Sequence, residues 1–142
     1  AFRVAWQPGE LTAVVYGQDG AELGRASLRS AGEETVLAAE PERDTVRPGG
    51  LCYVRLRYTD ETGLLKPLAR GDIKVEVEGG TLLALGSACP YNERGYLTDT
   101  TDTYYGQALA VIRADGSGDV TIRAESPFGA ALASIPCSEK QV

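Results

Sequence analysis

The sequence contains no histidine and no methionine, one tryptophan and two phenylalanines in 142 residues. Without histidine, the commonest general base and the commonest metal ligand are both missing. Without methionine there is no initiator, so the chain reads as an internal or C-terminal segment of a longer polypeptide. No apolar run approaches the length of a membrane span, and no signal-peptide pattern is present. A basic stripe is lacking too. With 14 basic and 20 acidic residues the net charge is −6, which argues against nucleic acid and anionic membranes as partners. Three cysteines, Cys52, Cys89 and Cys137, cannot all pair within one chain, and their spacing fits no zinc template. Cys52 alternates with apolar residues as a buried thiol does, which leans the reading toward a reducing, cytoplasmic compartment. No segment holds a helical period, and the Gly-x-Ser-x-Gly elbow of serine hydrolases is absent.

What is present is the punctuation of an all-β protein. Apolar residues make up 43% of the chain, and 17 glycines and 7 prolines fall largely between short β-branched runs. At this length the chain holds one domain, or one domain and part of another. Phe2, Val4 and Trp6 alternate as one face of a first strand, with Trp6 expected in a core. Leu11 to Tyr16 reads as a second strand, and Gln18-Asp19-Gly20 turns it into a third from Ala21 to Leu28. Three strands rarely stand alone in water, so residues 1–34 either pack on the following domain or belong with partner strands outside this sequence. Ser30 to Glu34 is the joint.

Residues 35–142 then supply about seven short strands. Thr35–Ala39 is the first. In Leu51–Thr59, Cys52, Val54, Leu56 and Tyr58 share one face while Arg55 and Arg57 point away. Ile73, Val75 and Val77 alternate with Lys74, Glu76 and Glu78, the pattern of a sheet covered on one side. Thr81–Leu85, Ala108–Ile112, Val120–Ala124 and Ala131–Ile135 follow, with Ala108–Ile112 apolar on both faces as a central strand should be. The pattern predicts an immunoglobulin-like β-sandwich.

Between Leu85 and Ala108 the chain makes a long polar excursion, uncommon inside a compact domain and usually functional. The stretch from Gly86 onward reads GSACP-x-x-E-x-x-Y, then TYYGQALAVIRA. It resembles the C-terminal domain of glycoside hydrolase family 2 enzymes of the β-galactosidase type, where a G-S-A-N-P turn leads to Y-Y-G-R-A-L-A-V-V-R. Cys89 stands where Asn is usual and Gln107 where Arg is usual. Trp6 to Tyr16 is similar to the W-x-x-x-Y-x-P-G-E-L-x-A-V-x-Y end of the preceding domain, without the Tyr before Pro. The resemblance implies a non-catalytic β-sandwich piece of a larger sugar-cleaving enzyme, with residues 1–34 as the last strands of a preceding β-sandwich domain and residues 35–142 as the immunoglobulin-like C-terminal domain. The parent's catalytic Glu pair would lie in a (β/α)₈ barrel outside this chain, so no catalytic residue carries over. The remaining domains of that polypeptide are the implied partners, with a homo-oligomer or a carbohydrate also open. No cofactor is implied.

The residues themselves support that division. Retaining glycosidases place two carboxylates about 5–5.5 Å apart in a pocket, whereas Glu76, Glu78 and Glu125 read as outward-facing. Asp99, Asp102 and nearby threonines offer oxygen ligands for calcium, but the spacing lacks the loop signature. Such a loop more often caps its own backbone, so no metal is assigned. The better candidates for a substrate or interface site are Tyr91, Asn92, Tyr96, Asp99, Tyr104 and Tyr105. Sugar rings stack on aromatic faces and bond to amides and carboxylates, and tyrosine is equally suited to protein interfaces. Two readings follow. One is a structural accessory domain of a glycoside hydrolase, supporting docking or oligomerisation. The other is a stand-alone carbohydrate-binding or adhesin-like module. The absence of any repeat between 1–34 and 35–142 favours the first.

Overall fold

The computed structural model describes residues 3–138, and chain contacts divide it into two units, residues 1–31 and 32–142. The first unit is one antiparallel hairpin of β1 (Glu10–Tyr16) and β2 (Glu22–Arg29). Its register pairs Leu11 with Leu28, Ala13 with Ala26 and Val15 with Gly24. Cross-strand partners share a face, so this side is wholly apolar. The opposite side carries the Thr12–Ser27 hydroxyl pair at 2.7 Å and the Glu10–Arg29 and Val14–Arg25 partners. At the turn, Asp19 Oδ1 accepts the Ala21 amide at 3.1 Å.

The expected strand through Phe2, Val4 and Trp6 is not formed among the described residues, and Phe2 lies outside them. A strand requires a neighbour to take its backbone donors, and alternation alone does not supply one. Trp6 is correspondingly 80% exposed rather than in a core.

The second unit is a sandwich of two antiparallel four-stranded sheets. Its strands are β3 (Val36–Pro41), β4 (Leu51–Thr59), β5 (Ile73–Glu78), β6 (Gly80–Gly86), β7 (Thr100–Thr101), β8 (Gln107–Ala114), β9 (Val120–Ser126) and β10 (Gly129–Ile135). One sheet runs β3-β4-β8-β6 and the other β10-β9-β5-β7. Setting the two-residue β7 aside, the first, second, fifth and fourth strands form one sheet and the seventh, sixth and third the other. That is the strand order of constant-type immunoglobulin domains. A parallel bridge between Val46 and Cys137 joins the open edge after β3 to the chain end beyond β10.

Alternation places the core. Val54, Leu56 and Tyr58 of β4, Ile112 of β8, Ile73 of β5 and Ile122 of β9 are all fully buried, each worth about 1.5–3 kcal/mol relative to exposure. The Tyr58 ring meets Phe128 edge-on at 5.0 Å, and its hydroxyl donates to the Gly71 carbonyl at 3.0 Å. Arg57 and Glu40 pair at 3.0 Å on the outer side of the same sheet.

Polar side chains hold the start of this unit. Lys66 Nζ donates to the carbonyls of Gly32, Glu33 and Glu34 at 2.8–2.9 Å. Asp60, buried at the end of β4, accepts the Thr62 hydroxyl at 2.6 Å and the amides of Gly32, Thr62 and Leu64 at 2.9 Å. The Thr62 hydroxyl, then the Gly32 amide, hold its carboxyl far below the usual carboxylate range against the opposing effect of burial. A depressed folded-state value stabilises the fold fully above the unfolded value of about 4 and loses that contribution as pH falls below it. Asp60→Asn is therefore expected to lower the urea midpoint at pH 7, with the gap to the wild type narrowing as pH drops from about 4 toward 3. A constant gap across this range would mean that Asp60 is not held ionised in the folded state.

Candidate functional site

The polar excursion after β6 is stitched to the sandwich at intervals. Leu85 donates its amide to the Tyr96 carbonyl at 2.9 Å, and Val75 to the Asp99 carbonyl at 2.8 Å. β7 then pairs with β5 through Ile73–Thr101 and Lys74–Thr100. Asp102 pairs with Arg70 and accepts the amides of Thr103 at 2.7 Å and Gly71 at 3.3 Å. Burial opposes ionisation of Asp102, but Arg70 and these amides outweigh it and hold the carboxyl below its ordinary value. The Thr103 hydroxyl donates to the Ala69 carbonyl at 3.1 Å.

The excursion ends in a tight hairpin. Tyr104 and Gln107 exchange backbone hydrogen bonds at 2.9 and 3.2 Å, while Tyr105 (φ 49°) and Gly106 (φ 71°) occupy the two central positions. Two consecutive positive φ values define a type I′ turn, which usually takes Asn-Gly. A bulky residue at the first position costs about 1–2 kcal/mol. The rings of Tyr104 and Tyr105 meet edge-on, with centroids 4.6 Å apart. The Tyr105 phenol, then partial desolvation, raises the Tyr104 phenol above its ordinary value.

This turn closes one end of a cleft of about 760 Å³ on the outer face of the β3-β4-β8-β6 sheet. Ala84, Leu109 and Val111 form its apolar floor, and Tyr96 stands on its flank. The Tyr96 ring lies over Gly86, in space that a Cβ would fill. Glu42 and Arg55 line the rim with Gln107, and Arg55 Nε lies 3.7 Å from Glu42 Oε1.

Of the six residues singled out from sequence, the fold brings Tyr96, Tyr104 and Tyr105 together here. Tyr91 is 88% exposed and does not line the cleft. Asn92 spends its amide on the Gly95 carbonyl at 2.9 Å, shaping the loop. Asp99 accepts the Thr100 hydroxyl at 2.9 Å and borders a separate hollow with Leu82 and Leu97. Among the described residues, no group of three or more Asp, Glu or Cys converges as metal ligands would. Sequence reasoning missed Glu42, which carries no motif. Arg55 was legible only as an outward residue of β4.

Residues 37–131 match the model of glycoside hydrolase family 2 C-terminal domain 5, and the chain belongs to that family. A β-galactosidase from Bacteroides ovatus is 27% identical over 119 residues, covering 82% of this chain and 14% of the relative. A solved glycosyl hydrolase family 2 member from Bacteroides cellulosilyticus is 28% identical with a TM-score of 0.84, over 96% of this chain and 18% of its own. A β-glycosidase from Bacteroides vulgatus shares the fold at 17% identity, with a TM-score of 0.78 and coverage of 94% and 18%. The chain thus spans less than a fifth of the length of each of these three proteins.

Proposed function

We propose that this chain is a non-catalytic accessory segment of a larger glycoside hydrolase that cleaves β-galactosides with retention. In this reading the second unit is a C-terminal support for domain docking or oligomerisation. The first unit supplies closing strands to a neighbouring β-sandwich of the same polypeptide.

The observation that carries the reading is the bare apolar face of the β1–β2 hairpin. Leu11, Val15 and Leu28 are 54%, 60% and 75% exposed, and they sit on one side of the ribbon in register with Ala13 and Ala26. A two-stranded ribbon is marginal in water, and a one-sided apolar face is what a strand pair presents to a second sheet. The small share of each relative that this chain covers supports further domains in the parent.

The test is hydrolysis of aryl β-glycosides by the full-length parent, with and without residues 32–142. Aryl β-galactosides are expected to be turned over, with kcat within about threefold after truncation while the melting temperature or the oligomer is lost. A parent inactive on β-galactosides overturns the substrate class. A large fall in kcat with the fold intact overturns the accessory role.

A further inference from the structure

We propose that the cleft on the outer face of the β3-β4-β8-β6 sheet binds a neutral, hydroxyl-rich saccharide. A pyranose ring has an apolar face of C–H groups and a rim of hydroxyls, so its site needs aromatic walls and a few fixed polar groups. The cleft has both. Tyr96, Tyr104 and Tyr105 stand around a floor of Ala84, Leu109 and Val111, with Glu42, Arg55 and Gln107 at the edge. The volume of about 760 Å³ falls within the roughly 300–1,000 Å³ of small-molecule sites.

Charge selects the class of sugar. Glu42 and Arg55 neutralise each other across 3.7 Å, so the rim offers a carboxylate acceptor and guanidinium donors without net attraction for an anion. That fits vicinal hydroxyls better than a uronic acid or sulfated sugar. A peptide strand is a poorer fit. β8 is paired on both sides, by β4 and by β6, so the floor has no free edge for an added strand.

Backbone strain points the same way. The turn would form more easily with Asn at position 105, yet Tyr105 is held at φ 49° with the residue 60% exposed. The strain is returned only by the edge-on contact with Tyr104 at 4.6 Å, and it holds the Tyr105 side chain beside the cleft that it lines.

The test titrates the 142-residue chain with lactose, a β-1,4-galactan oligosaccharide and, as an acyclic polyol control, sorbitol, following backbone amide shifts by NMR. Expected are saturable shifts at Gly86, Ser87, Gln107, Leu109 and Val111 with a saccharide and none with sorbitol. Arg55→Ala and Tyr105→Asn should each weaken binding about tenfold. Tyr105→Asn suits the same turn and so keeps the fold. No saturable shift with either saccharide, equal shifts with sorbitol, shifts confined to other surfaces, or affinity unchanged in both variants would each overturn the proposal.

Discussion

Ile112→Ala is expected to destabilise the chain by about 3–4 kcal/mol, within the roughly 2–5 kcal/mol range for emptying a buried aliphatic site. Ile112 is fully buried in β8, with Cys52 of β4 and Leu82 of β6 as its register partners. A side chain in a central strand is flanked by paired strands on both sides, so neighbouring backbone cannot collapse into the space left behind. The lost transfer energy and the cavity cost therefore add. Domains are stable by only about 5–15 kcal/mol, so this one change removes a large share. Urea denaturation should show a lower midpoint with an unchanged slope. Leu132→Ala on the edge strand β10 is the control: Leu132 is 70% exposed, and its loss should stay within about 0.5 kcal/mol. A loss below about 1 kcal/mol for Ile112→Ala would contradict a close-packed interface between the two sheets.

Gly106→Ala should cost about 3 kcal/mol, from two separable causes. Its φ of 71° is a left-handed conformation that side chains rarely adopt, worth about 1–2 kcal/mol. A Cβ there would also lie 2.5 Å from the Lys66 carbonyl oxygen and 3.3 Å from Pro67 Cα, both backbone atoms. Relief requires the 66–67 segment to move. That segment is tied to the core, because Lys66 donates its amide to the Tyr58 carbonyl at 2.8 Å while Tyr58 donates to Gly106 at 2.9 Å. Gly63→Ala isolates the conformational cause, since Gly63 has a φ of 84° with no atom within 4 Å of an added Cβ. It should cost only about 1 kcal/mol. The difference between the two midpoints measures the steric part, and near-ultraviolet circular dichroism should change only for Gly106→Ala as the tyrosine pair shifts. Equal costs would mean that the turn does not press on residues 66–67.

Much of the sandwich was legible because its strands alternate. In β4 the residues Cys52, Val54, Leu56 and Tyr58 point inward while Arg55 and Arg57 find Glu42 and Glu40 outside. The period of two records which face is covered. The same signal misled at Val4 and Trp6, where alternation was present but no pairing strand is found among the described residues. Periodicity reports what a segment would bury, not whether a neighbour exists to bury it. For this reason Trp6, expected in a core, is exposed within this chain.

The candidate site was legible only in part. The Tyr-Tyr-Gly turn carries a local signal, since glycine after an aromatic pair accommodates a reversal. Tyr91 and Asn92 share the same loop in sequence but not the cleft in space, because Asn92 closes on Gly95. Glu42 and Arg55 come from just after β3 and from β4, 41 to 63 residues before the tyrosines, and reach them only through the register of β4 on β8.

By itself, then, the sequence determined the strand content, the inward and outward faces, the tight turns and the family resemblance in the Gly86–Arg113 stretch. These are properties of neighbouring residues, set by backbone dihedral preference and a two-residue period. Only the tertiary structure decided the order of strands in the two sheets, the bare face of the first hairpin and the grouping of three tyrosines with Glu42 and Arg55. Those depend on non-local pairing, whose register is chosen by the whole core at once rather than by any segment in it.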